Sequence, residues 1–376
     1  MSALFTPFRL REVTLRNRVM VSPMCEYSSV DGFANDWHVV HLGSRAVGGA
    51  ALVLTEAIAV TADGRISPQD LGIWKDEHAG ELARIARFCN EQGAQFGTQL
   101  AHAGRKGSTK RPWDGGGAVA ADGGGWIPVG PTETPFDATY PVPRALDEAG
   151  IAEIIAAFAS AARRTLELGG TVLEIHAAHG YLVHEFLSPL VNTRTDRWGG
   201  SFENRTRLAV EIVRAVRAVW PERLPLFVRV SATDWVEGGW DIEQTVELAR
   251  ILRGAGVDLI DASSGGAVPV PPGTIPVGPL YQTPFAERVR RDAGIATGTV
   301  GMITEPADAE AIVADGRADL VILARELLRD PYWPLFAARA LGADAAWPPQ
   351  YQRAIGPRAT MQVPARVQEA PSKRPA

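Results

Sequence analysis

His176, His179 and Tyr181 stand together in the segment HAAHGY. Two imidazoles three residues apart with a phenol beside them admit three chemistries. They can be a hydrogen-bonding pair satisfied within the protein, a pair of metal ligands, or two neutral rings that polarise a substrate oxygen while the phenol hands over a proton. A metal needs a third or fourth ligand. Cys25, Glu56 and His102 are candidates, but they come with Gln99 and with Arg229, whose cation opposes a bound metal.

Arg229 interrupts an apolar run, LFVRVSA. A buried guanidinium requires an anionic partner, so one reading is a salt bridge to Glu56 or Asp261. The other sets the cation against the N1/O2 edge of a flavin, where negative charge collects on reduction. Gln99, in GTQLAHAGRK, offers an amide donor and an acceptor that suit the pyrimidine ring of the same cofactor, or it simply packs. Cys25 reads as a buried thiol, as a group that tunes a flavin, or as a nucleophile; no base is evident to activate it.

These residues need elements that bring them together. Short apolar runs rich in Val, Ile, Leu and Ala fall at 18–23, 50–57, 95–101, 171–177, 226–232, 257–263, 296–301 and 318–324. Stretches with helical spacing of apolar residues lie among them, at 78–93, 147–170 and 202–220, the first two ending in glycine. Eight strands with intervening helices predict an α/β fold, a closed (β/α)8 barrel. Strands apolar on both faces fit a barrel whose inside is packed and whose outside lies under helices.

The unusual polar residues sit almost without exception at the C-terminal ends of these strands, which in such a barrel share one mouth. Residues 105–145, rich in Gly, Pro and Trp, are too long for an ordinary loop and predict a lid or capping hairpin over that mouth. The stretch after the sixth strand, from Gly265 to Gln282, is similar. GTVGMI and ADLVILARELLRDP place small residues where the seventh and eighth strands end, the usual phosphate site of a barrel, with Arg325 able to add a charged fork.

The chain has 376 residues, 46% of them hydrophobic, enough for one large domain over residues 1–355. The segment 356–376, ending QEAPSKRPA, reads as a disordered tail. A net charge of -5 without basic blocks argues against nucleic acid and acidic lipid and for a small-molecule partner. Two cysteines are too few for a disulfide framework or an iron–sulfur cluster. With no apolar leader or spanning segment, a cytoplasmic location is expected.

Taken in order, NRVMVSPMCEYS, QDLGIW, QLAHAGRK, HAAHGYL, FLSPLVNTRTDRWGGSFENR and ADLVILARELLRDP resemble the old yellow enzymes, in particular the bacterial xenobiotic-reductase and thermophilic-like ene-reductase subgroup. The likeness runs from about Leu4 to Arg353. It implies non-covalent FMN, reduced by NADPH or NADH, that passes hydride to the activated C=C bond of an unsaturated carbonyl or nitro compound. By the same resemblance Ser22, Pro23, Met24 and Cys25 line the FMN, and Ala57, Gln99 and Arg229 touch its rings. Gly301, Ala324 and Arg325 hold its phosphate. His176 and His179 bind the substrate oxygen, Tyr181 donates the proton and Tyr27 helps hold the substrate. Arg353 is implied to reach a neighbouring subunit's active site, hence a homodimer or homotetramer. The family usually has Gly-Arg where this chain has Ala324 and Arg325, and residues 113–143 match poorly.

Overall fold

The computed structural model describes residues 2–355; the expected tail, 356–376, lies outside them. Eight parallel strands close into a barrel: β1 (Val19–Val21), β2 (Leu52–Ala59), β3 (Gln95–Ala101), β4 (Val172–Ala177), β5 (Leu226–Ser231), β6 (Leu259–Ser263), β7 (Ala296–Thr299) and β8 (Leu320–Leu323). All eight fall within or against the expected apolar runs. β8 pairs with β1 through Leu323 and Val21, which closes the ring and leaves no free edge. Helices cover the outside, and every residue of β2, β4, β5 and β6 is buried.

Caps explain where the helices begin. Asp147, Ser201 and Asp241 each accept the backbone N–H three residues on, satisfying donors that a first turn leaves unpaired. The expected helices are present as Ala79–Glu91, Glu148–Glu167 and Phe202–Arg217.

Register places the chemistry. Gln99 on β3 lies abreast of Glu174 on β4. His176 on β4 is abreast of Arg229 on β5, which is abreast of Asp261 on β6. Partners on adjacent parallel strands point to the same side, and Glu174 and His176, two apart, share a face. The five side chains therefore converge inside the barrel toward its C-terminal mouth.

The insertion after β3 does cover that mouth. Its two short strands, Val129–Gly130 and Arg144–Ala145, pair in parallel and so form no hairpin; an antiparallel bridge links Thr109 to Ala118. Arg194, from the long FLSPLVNTRTDRWGG motif, donates to Pro131 O at 3.0 Å and Leu146 O at 2.6 Å, tying the insertion to the barrel.

Candidate active site

A cavity of about 210 Å³ opens between the ends of β5, β6, β7 and β8, lined among others by Arg229, Ser263, Tyr281, Gly301, Ala324 and Arg325. Gly301 has φ +140°, and a Cβ there would stand 3.2 Å from the Tyr281 ring and 3.3 Å from Gln282 Cβ. Glycine thus keeps this wall open where β7 ends. Ala324 precedes the single-turn helix Arg325–Arg329, whose first N–H groups face the loop end.

Arg229 meets the salt-bridge reading of its buried charge through Asp261. Its Nε lies 3.2 Å from Asp261 Oδ2 and its Nη1 donates to Ser22 Oγ at 3.1 Å, yet the residue also lines the cavity. Glu56 is not its partner, being engaged instead by His38 at 3.2 Å. The Arg229–Asp261 contact lacks hydrogen-bonding geometry, which leaves Arg229 Nε and both Asp261 oxygens buried without a hydrogen bond. Gln99 Nε2 donates to Glu174 Oε1 at 2.8 Å; its amide oxygen and second N–H remain for other use. A buried cation with spare donors, an amide beside it and an open phosphate-sized end fit a flavin mononucleotide.

Across the mouth, the rings of His176 and Tyr181 meet edge to face with centroids 5.1 Å apart. Ala178 N–H donates to His176 Nδ1 at 3.2 Å, so the hydrogen-bond pattern assigns the proton of the neutral ring to Nε2. His179 Nε2 is 2.7 Å from Ser263 Oγ, and His179 N–H donates to Ser231 Oγ at 2.9 Å. His179 holds φ +61°, an uncommon value for a residue with a side chain. Neighbours impose it. Gly180 N–H donates to His184 Nδ1, and His184 Nε2 meets Asp234 at 3.0 Å. At Gly180 itself, φ +71°, a Cβ would lie 1.9 Å from Gly266 O.

Burial, reinforced by the Arg229 cation, pushes both His176 and His179 far below the usual imidazole range, so both are neutral at pH 7. Burial pushes the Tyr181 phenol up, which keeps its proton in place. The Cys25 thiol is likewise pushed well up by burial and by the acids Asp70 and Glu56, the opposite of what a thiolate nucleophile needs. Ala57 is buried at the mouth, while Pro23, Met24 and Tyr27 are partly exposed there. Tyr27 packs against Trp113 of the insertion at 5.7 Å. Among the described residues no group of three or more His, Cys, Asp and Glu side chains is arranged to hold a metal ion.

Arg353 does not line this cavity; it lies exposed in Pro349–Ile355.

Sequence reasoning passed over Ser263, Lys106 and the His184–Asp234 pair. Ser263 ends β6 and so had a positional signal. Lys106 donates to His179 O at 2.8 Å and Gly266 O at 2.6 Å, joining the loops after three strands, and no spacing in the sequence reveals that.

The sequence profile of the NADH:flavin oxidoreductase / NADH oxidase family matches residues 3–342. The chain belongs to that family, the old yellow enzymes. The oxidoreductase is 49% identical over 352 residues to an NADPH dehydrogenase of Geobacillus sp. (strain WCH70), covering 93% of this chain and 98% of that one. It is 47% identical to an NADPH dehydrogenase of Listeria monocytogenes serotype 4a (strain HCC23), covering 94% and 99%. Among solved structures it resembles morphinone reductase with TM-score 0.74 and 26% identity over 92% of this chain and 91% of that one. The same reductase has been solved with tetrahydroNAD. The oxidoreductase is therefore an NAD(P)H-dependent enzyme that uses FMN.

Proposed function

We propose that the enzyme is an ene-reductase acting on C=C bonds conjugated to a carbonyl or nitro group. The observation that carries this reading is the grouping at one mouth of two neutral imidazoles and a protonated phenol.

FMN, when held at this mouth, would supply the redox chemistry, a hydride transfer between nicotinamide and substrate. The chain supplies position and charge. Arg229 and Gln99 bind the flavin rings, with Ser22, Pro23, Met24, Cys25 and Ala57 lining them. Gly301, Ala324 and Arg325 hold the phosphate. The Nε2–H of His176 and the ring of His179 donate to the substrate oxygen, where charge grows as the β-carbon is reduced. A neutral imidazole does this without presenting a competing cation to Arg229. Tyr181 protonates the α-carbon, and Tyr27 with Trp113 closes the far side of the substrate space. The exposure of Arg353 outside its own cavity supports its serving a neighbouring subunit in a homodimer or homotetramer. No helix of the described residues is long and apolar enough to cross a membrane, which is compatible with work in the cytoplasm.

The test is anaerobic stopped-flow on the holoenzyme, with NADPH reducing the flavin and 2-cyclohexenone reoxidising it. Tyr181→Phe should slow reoxidation by on the order of 10²-fold and leave reduction by NADPH nearly unchanged. Equal slowing of both steps would remove the assigned role of Tyr181. An enzyme that is reduced by NADPH and never reoxidised by enone or nitroalkene would refute the substrate class.

A further inference from the structure

Asp70, in the QDLGIW segment that follows β2, is a buried acid that the mechanism above leaves unused. It is 1% exposed. Its Oδ2 accepts the Ile66 N–H at 2.6 Å, but its Oδ1 is buried with no hydrogen-bond partner. A buried carboxyl oxygen left unpaired is costly unless a water or a proton accounts for it.

A cavity accounts for it. Asp70 lines a space of about 10 Å³ together with Tyr181. The rest of its wall is Gly64, Ile66 and four alanines, so Asp70 and Tyr181 are the only polar side chains on it. That volume is about what one water molecule needs. Burial first, then the nearby Glu56, pushes the Asp70 carboxyl well up, against opposing backbone hydrogen bonds and the Arg65 cation. A neutral carboxyl makes the unpaired Oδ1 a donor on a residue that lines the same cavity as Tyr181.

We propose that Asp70 returns a proton to Tyr181 through one water in this cavity after each turnover. The inference rests on the reading of Tyr181 as proton donor. In the step, the Tyr181 O–H bond has broken to protonate the substrate carbon, leaving a phenolate. The water gives a proton to the phenolate oxygen and takes the one on Asp70 Oδ1; the resulting carboxylate takes its proton from solvent. No electrons move, and one solvent proton is consumed per turnover. The outward leg has groups in place. A Cβ on Gly64 would come within 2.9 Å of both His102 Cδ2 and Thr61 Oγ1, and His102 Nε2 and Thr61 Oγ1 are buried without partners. Asp63, next to Gly64, acts electrostatically on His102. Asp70 acts through Tyr181 and not on the substrate, so its loss leaves a distinctive trace.

The test compares first and later turnovers of the holoenzyme. Flavin is reduced anaerobically and mixed with 2-cyclohexenone, either once or in excess with NADPH present. Asp70→Asn keeps the acceptor for the Ile66 N–H but carries no acidic proton. It should complete a first turnover within about twofold of the parent and then slow at least about tenfold, giving a burst. Ala101→Val, which fills the cavity and leaves the Asp70 carboxyl in the chain, should give the same burst. Infrared spectra should show a protonated-carboxyl band in the parent that Asp70→Asn removes. Steady turnover by both variants at the parental rate, equal slowing of first and later turnovers, or an ionised Asp70 in the infrared spectra would overturn the relay. If Tyr181→Phe slows the first turnover while neither variant shows a burst, the relay alone falls. If Tyr181→Phe changes nothing, the reading of Tyr181 falls and the relay with it.

Discussion

The imidazoles of His176 and His179 stand edge to face, centroids 5.1 Å apart and planes at 88°, and each is held on its own side. The Ala178 N–H fixes His176 and the Ser263 hydroxyl fixes His179. Two imidazolium ions at that separation, with Arg229 nearby, would repel strongly, which together with burial keeps both rings neutral.

Removing the Ser263 hydroxyl should therefore loosen one donor and leave the other. Ser263→Ala is expected to lower kcat/KM for 2-cyclohexenone by roughly 3–10-fold, the worth of a single hydrogen bond. His176 should stay in place, and reoxidation of the flavin should remain flat with pH between 6 and 8, since neither ring titrates there. Unchanged kcat/KM in Ser263→Ala would show that the hydroxyl does not hold the ring for catalysis.

Gly301→Ala tests the open wall of the cavity. At φ +140° an L side chain is strained, and its Cβ would press on the Tyr281 ring. The cost should be about 1–3 kcal/mol in urea unfolding of the apoprotein, with weaker FMN binding on top. A variant as stable as the parent would mean the loop end relaxes freely.

Arg325 opens the short helix that follows β8, beside Ala324. Arg325→Ala should weaken FMN binding by about 1.5–3 kcal/mol, or roughly 10–150-fold in Kd, as loss of a charged hydrogen bond does. Binding of riboflavin, which lacks the phosphate, should change little. Fluorescence titration of the apoprotein with both ligands separates the outcomes; equal losses would place Arg325 away from the phosphate.

Glu185 anchors the start of the insertion by accepting the Arg105 N–H at 2.8 Å, and burial pushes its carboxyl up to about 8. The folded protein thus keeps a proton that the unfolded chain releases above the ordinary value of 4.5. Its contribution to stability is complete below that value and is lost as pH rises toward about 8, at no more than about 1.4 kcal/mol per pH unit. Glu185→Gln has nothing to titrate, so it should gain on the parent steadily from pH 5.5 to 7.5. Parallel urea midpoints across that range would contradict a protonated Glu185.

Much of this was legible in the residues themselves. The eight strands announced themselves because a barrel strand is buried on both faces and so reads as a continuous apolar run. The histidine pair, Tyr181 and Arg229 stood out because polar groups at the ends of such runs have no packing reason to be there. The capping insertion was visible as length and composition. The pairing of its short strands was not, since two-residue strands carry no periodicity, and they proved parallel. The FLSPLVNTRTDRWGG motif carried the family resemblance, yet nothing in its spacing revealed that Arg194 Nη1 donates to the Pro131 and Leu146 carbonyls that hold the insertion down.

By itself, then, the sequence determined the barrel, the mouth at which chemistry occurs and the family, because periodicity and polar exceptions are local properties of a chain. Only the tertiary structure decided which acid Arg229 meets, which hydroxyl holds His179, and that Asp70 shares a one-water space with Tyr181. Those pairings join residues from 32 to 111 positions apart, and they follow from barrel register and loop packing, which bring distant side chains into contact without leaving any mark on local spacing.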